Sequence, residues 1–326
     1  MAPSPKSLWC FSANEGDSRL NRMTFEVVLL GTGAAVPVPT RGTTSQFLDI
    51  HGHTYLIDAG EGVQLALRRE KRRFQKLKGI FISHMHGDHV LGLPGLLTTM
   101  SLLGRQTPLV VWGPPGLEEW LKATWKGIQA HLSFDIQCHT WDPCETCVLH
   151  EGERYRLTSV PVKHRIPCAG LKVEEHSLPW TLDGMRAKRA NLPFAVRQQL
   201  KRGEVAEWDG QSLDPKRWCT PPAKSRSYVY SSDTRPCQAL LEAATGATVL
   251  YHDSTFNAED QDRAKATHHS TTKEAGRLAR QAGVKTLVLG HVSLRYRDLA
   301  SLCEEASQEH DDVIVATDGM VIRIGA

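Results

Sequence analysis

His84-Met85-His86-Gly87-Asp88-His89 sets three imidazoles and a carboxylate within six residues, directly after the strand-like run Gly79–Ser83. A strand that ends in such a cluster delivers polar side chains to one edge of a sheet. Three later strand-like runs end in the same way. Leu157–Val162 leads to His164, Ser227–Tyr230 to Asp233, and Lys285–Leu289 to His291. Strand ends along one edge can converge, so residues far apart in sequence can share a site. Imidazole with carboxylate suits Zn²⁺, and iron and manganese are also compatible. In a turn leaving a strand, His84 and His86 can point at one ion while Asp88 and His89 turn toward a second. With Asp233 shared, two ions use His84, His86, His164, Asp88, His89, His291 and Asp233 and leave no ligand over.

Around this core, runs rich in β-branched and aromatic residues alternate with helical stretches such as Val63–Lys71, Pro94–Leu103 and Thr271–Ala282. The mixture predicts layered α/β structure with helices covering sheet faces. The segment from about 174 to 224 breaks the rhythm, with few strand formers, a basic cluster and several Pro and Trp residues. It reads as an insertion into one catalytic domain, 23–326. Met1–Arg22 is polar and lacks the apolar stretch of a signal peptide, so it reads as a disordered extension. Asp58 also follows a strand, but with the ligand set full its role is to hydrogen-bond the metal loop.

With 40% hydrophobic and 23% charged residues over 326 positions, the chain is no disordered polymer. No uncharged apolar run approaches the ~20 residues of a membrane span, which argues for a protein with no membrane partner. The eight cysteines lack the density of a stapled secreted scaffold. Reduced thiols and a cytoplasmic location follow as expectations, Cys144 and Cys147 included. A net charge of +3 permits an anionic partner without demanding one.

The pattern His84-x-His86-x-Asp88-His89 resembles the signature of the metallo-β-lactamase superfamily. The continuation through Gly92-Leu93-Pro94-Gly95-Leu96-Leu97 is similar to the tRNA 3′-processing endonucleases of the ribonuclease Z family, in their short form. Asp58-Ala59-Gly60-Glu61-Gly62, His164-Arg165-Ile166-Pro167, Ser232-Asp233-Thr234, His269-Ser270-Thr271 and Gly290-His291-Val292-Ser293 match in the family's order. The resemblance implies a four-layer αββα sandwich with an inserted tRNA-binding arm. It assigns His84, His86 and His164 to one zinc, Asp88, His89 and His291 to the other, and Asp233 to both. It makes Asp88 the proton acceptor and His269 the proton donor to the leaving group. The family's supporting Glu is replaced here by Asp253, one methylene shorter, so support of His269 would need a backbone shift or a bridging water.

By the same resemblance, the insertion is the arm that grips precursor tRNA in a homodimer, with one subunit's arm serving the other's site. Its Gly-Pro motif is missing, yet Arg186, Lys188, Arg189, Arg197, Lys201 and Arg202 give it a basic heart. Such a patch binds phosphate backbones without reading sequence. The implied activity is removal of 3′ trailers, leaving a 3′-hydroxyl on tRNA and a 5′-phosphate on the trailer. Two rival readings remain: a phosphodiesterase of the same fold acting on a small ester, and a non-catalytic RNA-binding relative.

Overall fold

The computed structural model describes residues 24–325; the extension expected over 1–22 lies outside them. Strands β1 (Phe25–Gly31), β2 (Ser45–Ile50), β3 (His53–Ile57), β4 (Gly79–Phe81), β5 (Leu109–Gly113) and β6 (Ile136–Thr140) build most of a first sheet. Strands β7 (Cys147–Glu151), β8 (Tyr155–Pro161) and β9 (Ala169–Glu175) begin a second. The insertion contributes β10 (Thr181–Leu182), β11 (Ala206–Trp208), β12 (Gln211–Leu213) and β13 (Cys219–Thr220). The chain then returns through β14 (Ser227–Tyr230), β15 (Val249–Asp253), β16 (Thr286–Gly290) and β17 (Val313–Val315). The last strand, β18 (Val321–Arg323), crosses back to pair antiparallel with β1. The sheets therefore run β18-β1-β2-β3-β4-β5-β6 and β17-β16-β15-β14-β9-β8-β7.

Alternation along the strands decides how these sheets stack. In β1, Val27 and Leu29 join the cluster between the sheets, while Val28 and Leu30 face the outer helices. In the second sheet Tyr228, Tyr230 and Tyr251 turn inward, and Val229, Leu250 and Leu287 turn outward. Both faces of each sheet are thus apolar, and both must be covered. Helices α1 (Val63–Arg69), α3 (Leu93–Leu102) and α4 (Leu117–Gly127) cover the first sheet. Helices α8 (Gln238–Ala244), α10 (Thr272–Ala282) and α11 (Leu299–Ser307) cover the second. The result is the four-layer αββα sandwich, with its largest fully buried aromatic side chains, Trp141, Tyr228, Tyr230 and Tyr251, between the two sheets. Each fully buried Leu, Val or Phe contributes roughly 1.5–3 kcal/mol to holding the layers together.

Between β9 and β14, which pair antiparallel, the insertion carries α5 (Gly184–Arg189), α6 (Phe194–Lys201) and α7 (Pro215–Trp218). It has an apolar cluster of its own, made by Ala187, Leu192, Val196, Leu200, Ala206, Leu213 and Cys219. β9 runs to Glu175 and β14 starts at Ser227, so the excursion spans 176–226. That shifts the expected bounds by about two residues at each end. Although the segment holds few strand formers, two short antiparallel pairs, β10 with β13 and β11 with β12, brace the helices.

One packing constraint falls on the loops beneath the His84–His89 turn, which includes the one-turn helix α2 (Gly87–Val90). A Cβ on Gly92 would sit 2.1 Å from the Gly60 carbonyl oxygen, and one on Gly60 would sit 2.4 Å from that of Asp88. Backbone meets backbone here, and only glycine leaves room. We expect Gly92→Ala to cost about 1–3 kcal/mol or more by overpacking, read as a lower urea midpoint with unchanged slope. An unchanged midpoint would show that the loops can separate.

Candidate active site

Five strand ends carry the site. His84 leaves β4, His164 follows β8, Asp233 follows β14, Asp253 closes β15, and His291 follows β16. α2 starts just after His86 and reverses the chain, so His84 and His86 face one side and Asp88 and His89 the other. The turns are tightly bent: Ala35, Asp58, Ser232, His268 and His291 all hold φ between 54° and 61°. Non-glycine residues visit that region rarely, and such strain persists where surrounding contacts over-determine it.

Hydrogen bonds fix which nitrogen of each ring faces inward. His164 Nδ1 lies 3.1 Å from the His268 carbonyl oxygen, to which it can only donate. His84 Nδ1 donates to Ser83 Oγ at 3.0 Å, because that hydroxyl spends its own proton on Asp58 Oδ2 at 2.8 Å. His89 Nδ1 donates to the same Asp58 oxygen at 2.8 Å. Each ring therefore turns its Nε2 toward the cluster. The Nε2 atoms of His84 and His164 both approach His86 Nδ1, at 3.0 and 3.2 Å. A single proton on His86 can serve only one of them. Burial also holds His84 and His86 below the usual histidine pKa and His164 down to about 4, which keeps their rings neutral at neutral pH.

Asp233 stands between the two halves. Its Oδ2 lies 3.6 Å from His84 Nε2, and its Oδ1 lies 3.3 Å from His89 Nε2 and 3.4 Å from His291 Nε2. Asp88 Oδ2 is 3.3 Å from His291 Nε2 and accepts the Ala35 N–H at 2.8 Å. Burial works against both carboxylate charges, but His291 and His89 hold Asp233 and Asp88 well below the ordinary carboxylate range. His89 Nε2 and Asp233 Oδ1 are buried without a hydrogen-bond partner. The two face each other at 3.3 Å without a well-formed hydrogen bond, and a cation held by both would satisfy them. The donor atoms of His84, His86, His164 and Asp233 lie within 4.8 Å of one another, as do those of Asp88, His89 and His291. Imidazole and carboxylate donors in this arrangement fit divalent metal.

Asp253 and His269 lie beside this cluster. His269 Nδ1 sits 2.8 Å from Asp253 Oδ2, a direct contact that needs neither water nor longer side chain. The expected gap is closed because β15 continues through Asp253 and because Thr271 caps α10, which leaves the His269 side chain to meet Asp253. Thr271 forms a capping box with Glu274. Burial lowers the pKa of His269, but the charge and hydrogen bond of Asp253 outweigh it and raise the ring to about 9. The cavity in front has a volume of about 380 Å³. Beyond the cluster its walls include Phe256, Arg165, Arg263 and Arg295, which make the mouth cationic.

Sequence reasoning missed the supporting groups Ser83, Tyr230 and Thr255. Tyr230 donates to Asp58 Oδ2 at 2.6 Å across the sheets, and Thr255 Oγ1 contacts Asp253 and His291. Ser83 and Thr255 were visible as neighbours of the motif residues; nothing in the sequence marked Tyr230. The arm residues lie far from the cluster in the chain, and their side chains are unequally committed. Arg202 pairs with Glu204, Arg197 donates to the Leu192 carbonyl, and Arg186 lies over the Trp218 ring and donates to the Arg217 carbonyl. Among the described residues, no hydrogen bond or ion pair engages the side chains of Lys188, Arg189 or Lys201.

Comparison with known proteins agrees with this geometry. The family described as "Anti-Pycsar protein Apyc1" matches residues 25–201. Ribonuclease Z of Porphyromonas gingivalis is 40% identical over 299 residues, spanning 91% of this chain and 98% of that protein. The crystal structure of human tRNase Z, short form, superposes with a TM-score of 0.67 at 27% identity, covering 92% of this chain and 100% of that one. The metallo-β-lactamase fold protein YhfI from Bacillus subtilis shares the fold, with a TM-score of 0.64 at 20% identity over 92% of this chain and 99% of that one. Residues 25–201 thus belong to the Apyc1 family as well, and over nearly its whole length the chain belongs to the ribonuclease Z family on the metallo-β-lactamase fold.

Proposed function

We infer that this protein is a metal-dependent endoribonuclease that removes 3′ trailers from precursor tRNA, leaving a 3′-hydroxyl on the tRNA and a 5′-phosphate on the trailer. The observation that carries the reading is the 40% identity to a ribonuclease Z over a span that includes both the His/Asp cluster and the whole insertion. His84, His86, His164 and Asp233 Oδ2 would hold one zinc ion; Asp88, His89, His291 and Asp233 Oδ1 would hold the other. Such ions, when bound, acidify water and neutralise charge on a phosphate. Asp88, ionised and at the mouth, accepts the proton of the attacking water. The arginines lining the cavity draw in the phosphodiester and oppose its growing charge. His269, protonated on both nitrogens, donates to the departing ribose O3′ while Asp253 keeps the ring in place. No helix of the described residues is long and apolar enough to cross a membrane, which fits the cytoplasmic location of a tRNA-processing enzyme.

The test is cleavage mapping on a 3′-extended precursor tRNA. The expected product ends in a 3′-hydroxyl, and the trailer in a 5′-phosphate. His86→Ala and His89→Ala should each lower the rate more than about a hundredfold, since even loss of a ligand's supporting contact typically costs 10–100-fold. Zinc content should fall in parallel. Turnover of bis-(p-nitrophenyl) phosphate without any tRNA cleavage would favour the small-ester reading instead. Zinc-free protein that binds tRNA without cutting it would favour the non-catalytic one.

Arm chemistry follows from which cations are free. Lys188→Ala with Arg189→Ala should weaken tRNA binding several-fold and reduce the slope of log Kd against log salt by about one per lost phosphate contact. Arg197→Ala and Arg202→Ala should do less, because those side chains are already engaged. Filter binding at several salt concentrations distinguishes the two pairs.

The direction of β9 supports a homodimer. Ala169 N–H bonds the Ser83 carbonyl next to the site, and β9 then runs seven residues away from it before the insertion begins. At about 3.3 Å per residue the arm departs roughly 20 Å from its own cluster, which suits service to a second subunit. Mixing two inactive variants should therefore restore tRNA cleavage. One carries a short Gly-Ser linker in place of residues 181–220, and the other carries His89→Ala. The cut is made at the β10–β13 neck because removing 185–202 alone would strand Ala206, Leu213 and Cys219 without their cluster. Mixtures that stay inactive although both variants dimerise would exclude service across the interface.

A further inference from the structure

We propose that Thr255 is a positioning residue whose hydroxyl relays the charge of Asp253 to His291, so that one buried carboxylate aligns both a metal ligand and the proton donor. The inference rests on the metal reading above. Both oxygens of Asp253 are fully used. Oδ2 accepts the Thr234 N–H at 2.9 Å and His269 Nδ1–H at 2.8 Å. Oδ1 accepts the Thr255 N–H at 2.9 Å and the Thr255 hydroxyl at 2.7 Å. An ionised carboxylate only accepts, so the single hydroxyl proton of Thr255 is committed to it.

The lone pairs of Thr255 Oγ1 then face His291 Nδ1 at 2.9 Å and His269 Nδ1 at 3.2 Å. His269 already directs its Nδ1 proton to the nearer Asp253 oxygen. His291 must therefore carry its proton on Nδ1 and donate it to Thr255. In the neutral ring this leaves Nε2, which faces Asp88 and Asp233, as the unprotonated nitrogen, the tautomer a metal ligand needs. The arrangement repeats one at the other end of the site. There Asp58 holds His89 directly and His84 through the hydroxyl of Ser83. Here Asp253 holds His269 directly and His291 through the hydroxyl of Thr255. One relay serves each half of the cluster. Thr255 is 5% exposed and His291 4%, so water does not readily replace the hydroxyl.

Three variants test this. Thr255→Val keeps the shape and removes the hydroxyl, Thr255→Ser keeps the hydroxyl, and Thr255→Ala removes both methyl and hydroxyl. Zinc affinity is measured by chelator competition on purified full-length protein. Thr255→Val should bind one of two zinc equivalents about 10–100-fold more weakly, the usual effect of losing a ligand's supporting contact. Thr255→Ser should stay within a few-fold of the parent. Wild-type affinity in Thr255→Val would overturn the proposal, as would an equal loss in Thr255→Ser, which would assign the effect to packing of the methyl. A second readout needs no metal: long-range ¹H–¹⁵N spectra of the metal-free protein, with His291→Gln identifying the signal. They should show His291 protonated at Nδ1 in the parent and in Thr255→Ser. A neutral ring protonated at Nε2 in the parent would refute the relay even if Thr255→Val fails to fold. If the parent itself binds no zinc, the metal reading fails, while the tautomer still tests the relay.

Discussion

The carboxylate of Asp58 is the contact on which the rest of the site depends. It is wholly buried, and it accepts from Ser83 N–H and Oγ–H, from His89 Nδ1–H and from the Tyr230 hydroxyl. A buried carboxylate is tolerated only when its lone pairs are satisfied, and the three residues that donate here come from different parts of the fold. Ser83 follows β4, His89 lies in α2, and Tyr230 ends β14 on the opposite sheet. One charge thus ties the first sheet to the second at the edge where the His/Asp cluster gathers. The glycine pair at 60 and 92 lets the loop that carries Asp58 come close enough to do so.

From that anchor, two kinds of order follow. The apolar layers set where strands end, and short polar relays set how each ring is turned. Hydrophobic burial has no direction, so it can bring His84, His164, Asp233 and His291 to one edge but cannot orient an imidazole. Hydrogen bonds do that at modest net energy, because a wrong orientation would leave a buried donor unpaired. The cluster is therefore assembled by packing and polarised by Asp58, Asp253, Ser83, Thr255 and a backbone carbonyl.

The insertion follows different rules. Its seven-residue apolar cluster is small, and many of its charged side chains face solvent. The one seven-stranded sheet that it leaves and rejoins gives it a firm base. Rigid body and separate arm are the parts a long folded RNA substrate calls for, since phosphate contacts are long-ranged and the reacting bond needs sub-ångström order.

The sequence by itself determined the cluster His84–His89, its partners at three later strand ends, and the layered α/β class, because these depend on local pattern and on residue chemistry. It also placed Asp58 in support of the metal loop without structural help. It did not reveal β2, whose Ser45-Gln46-Phe47-Leu48-Asp49-Ile50 hides Gln46 under the Tyr228 hydroxyl at 2.5 Å, nor edge strands such as β6 and β18. Such strands are short or polar, and only pairing with a neighbour makes them strands. The reach of Asp253 to His269 likewise could not be read from chain length, since a missing methylene matters only relative to where β15 ends. Tertiary structure alone decided which imidazole nitrogen faces inward, because the partners that orient the rings lie far away in the sequence, acting directly or, for His84, through the hold of Asp58 on the adjacent Ser83 hydroxyl.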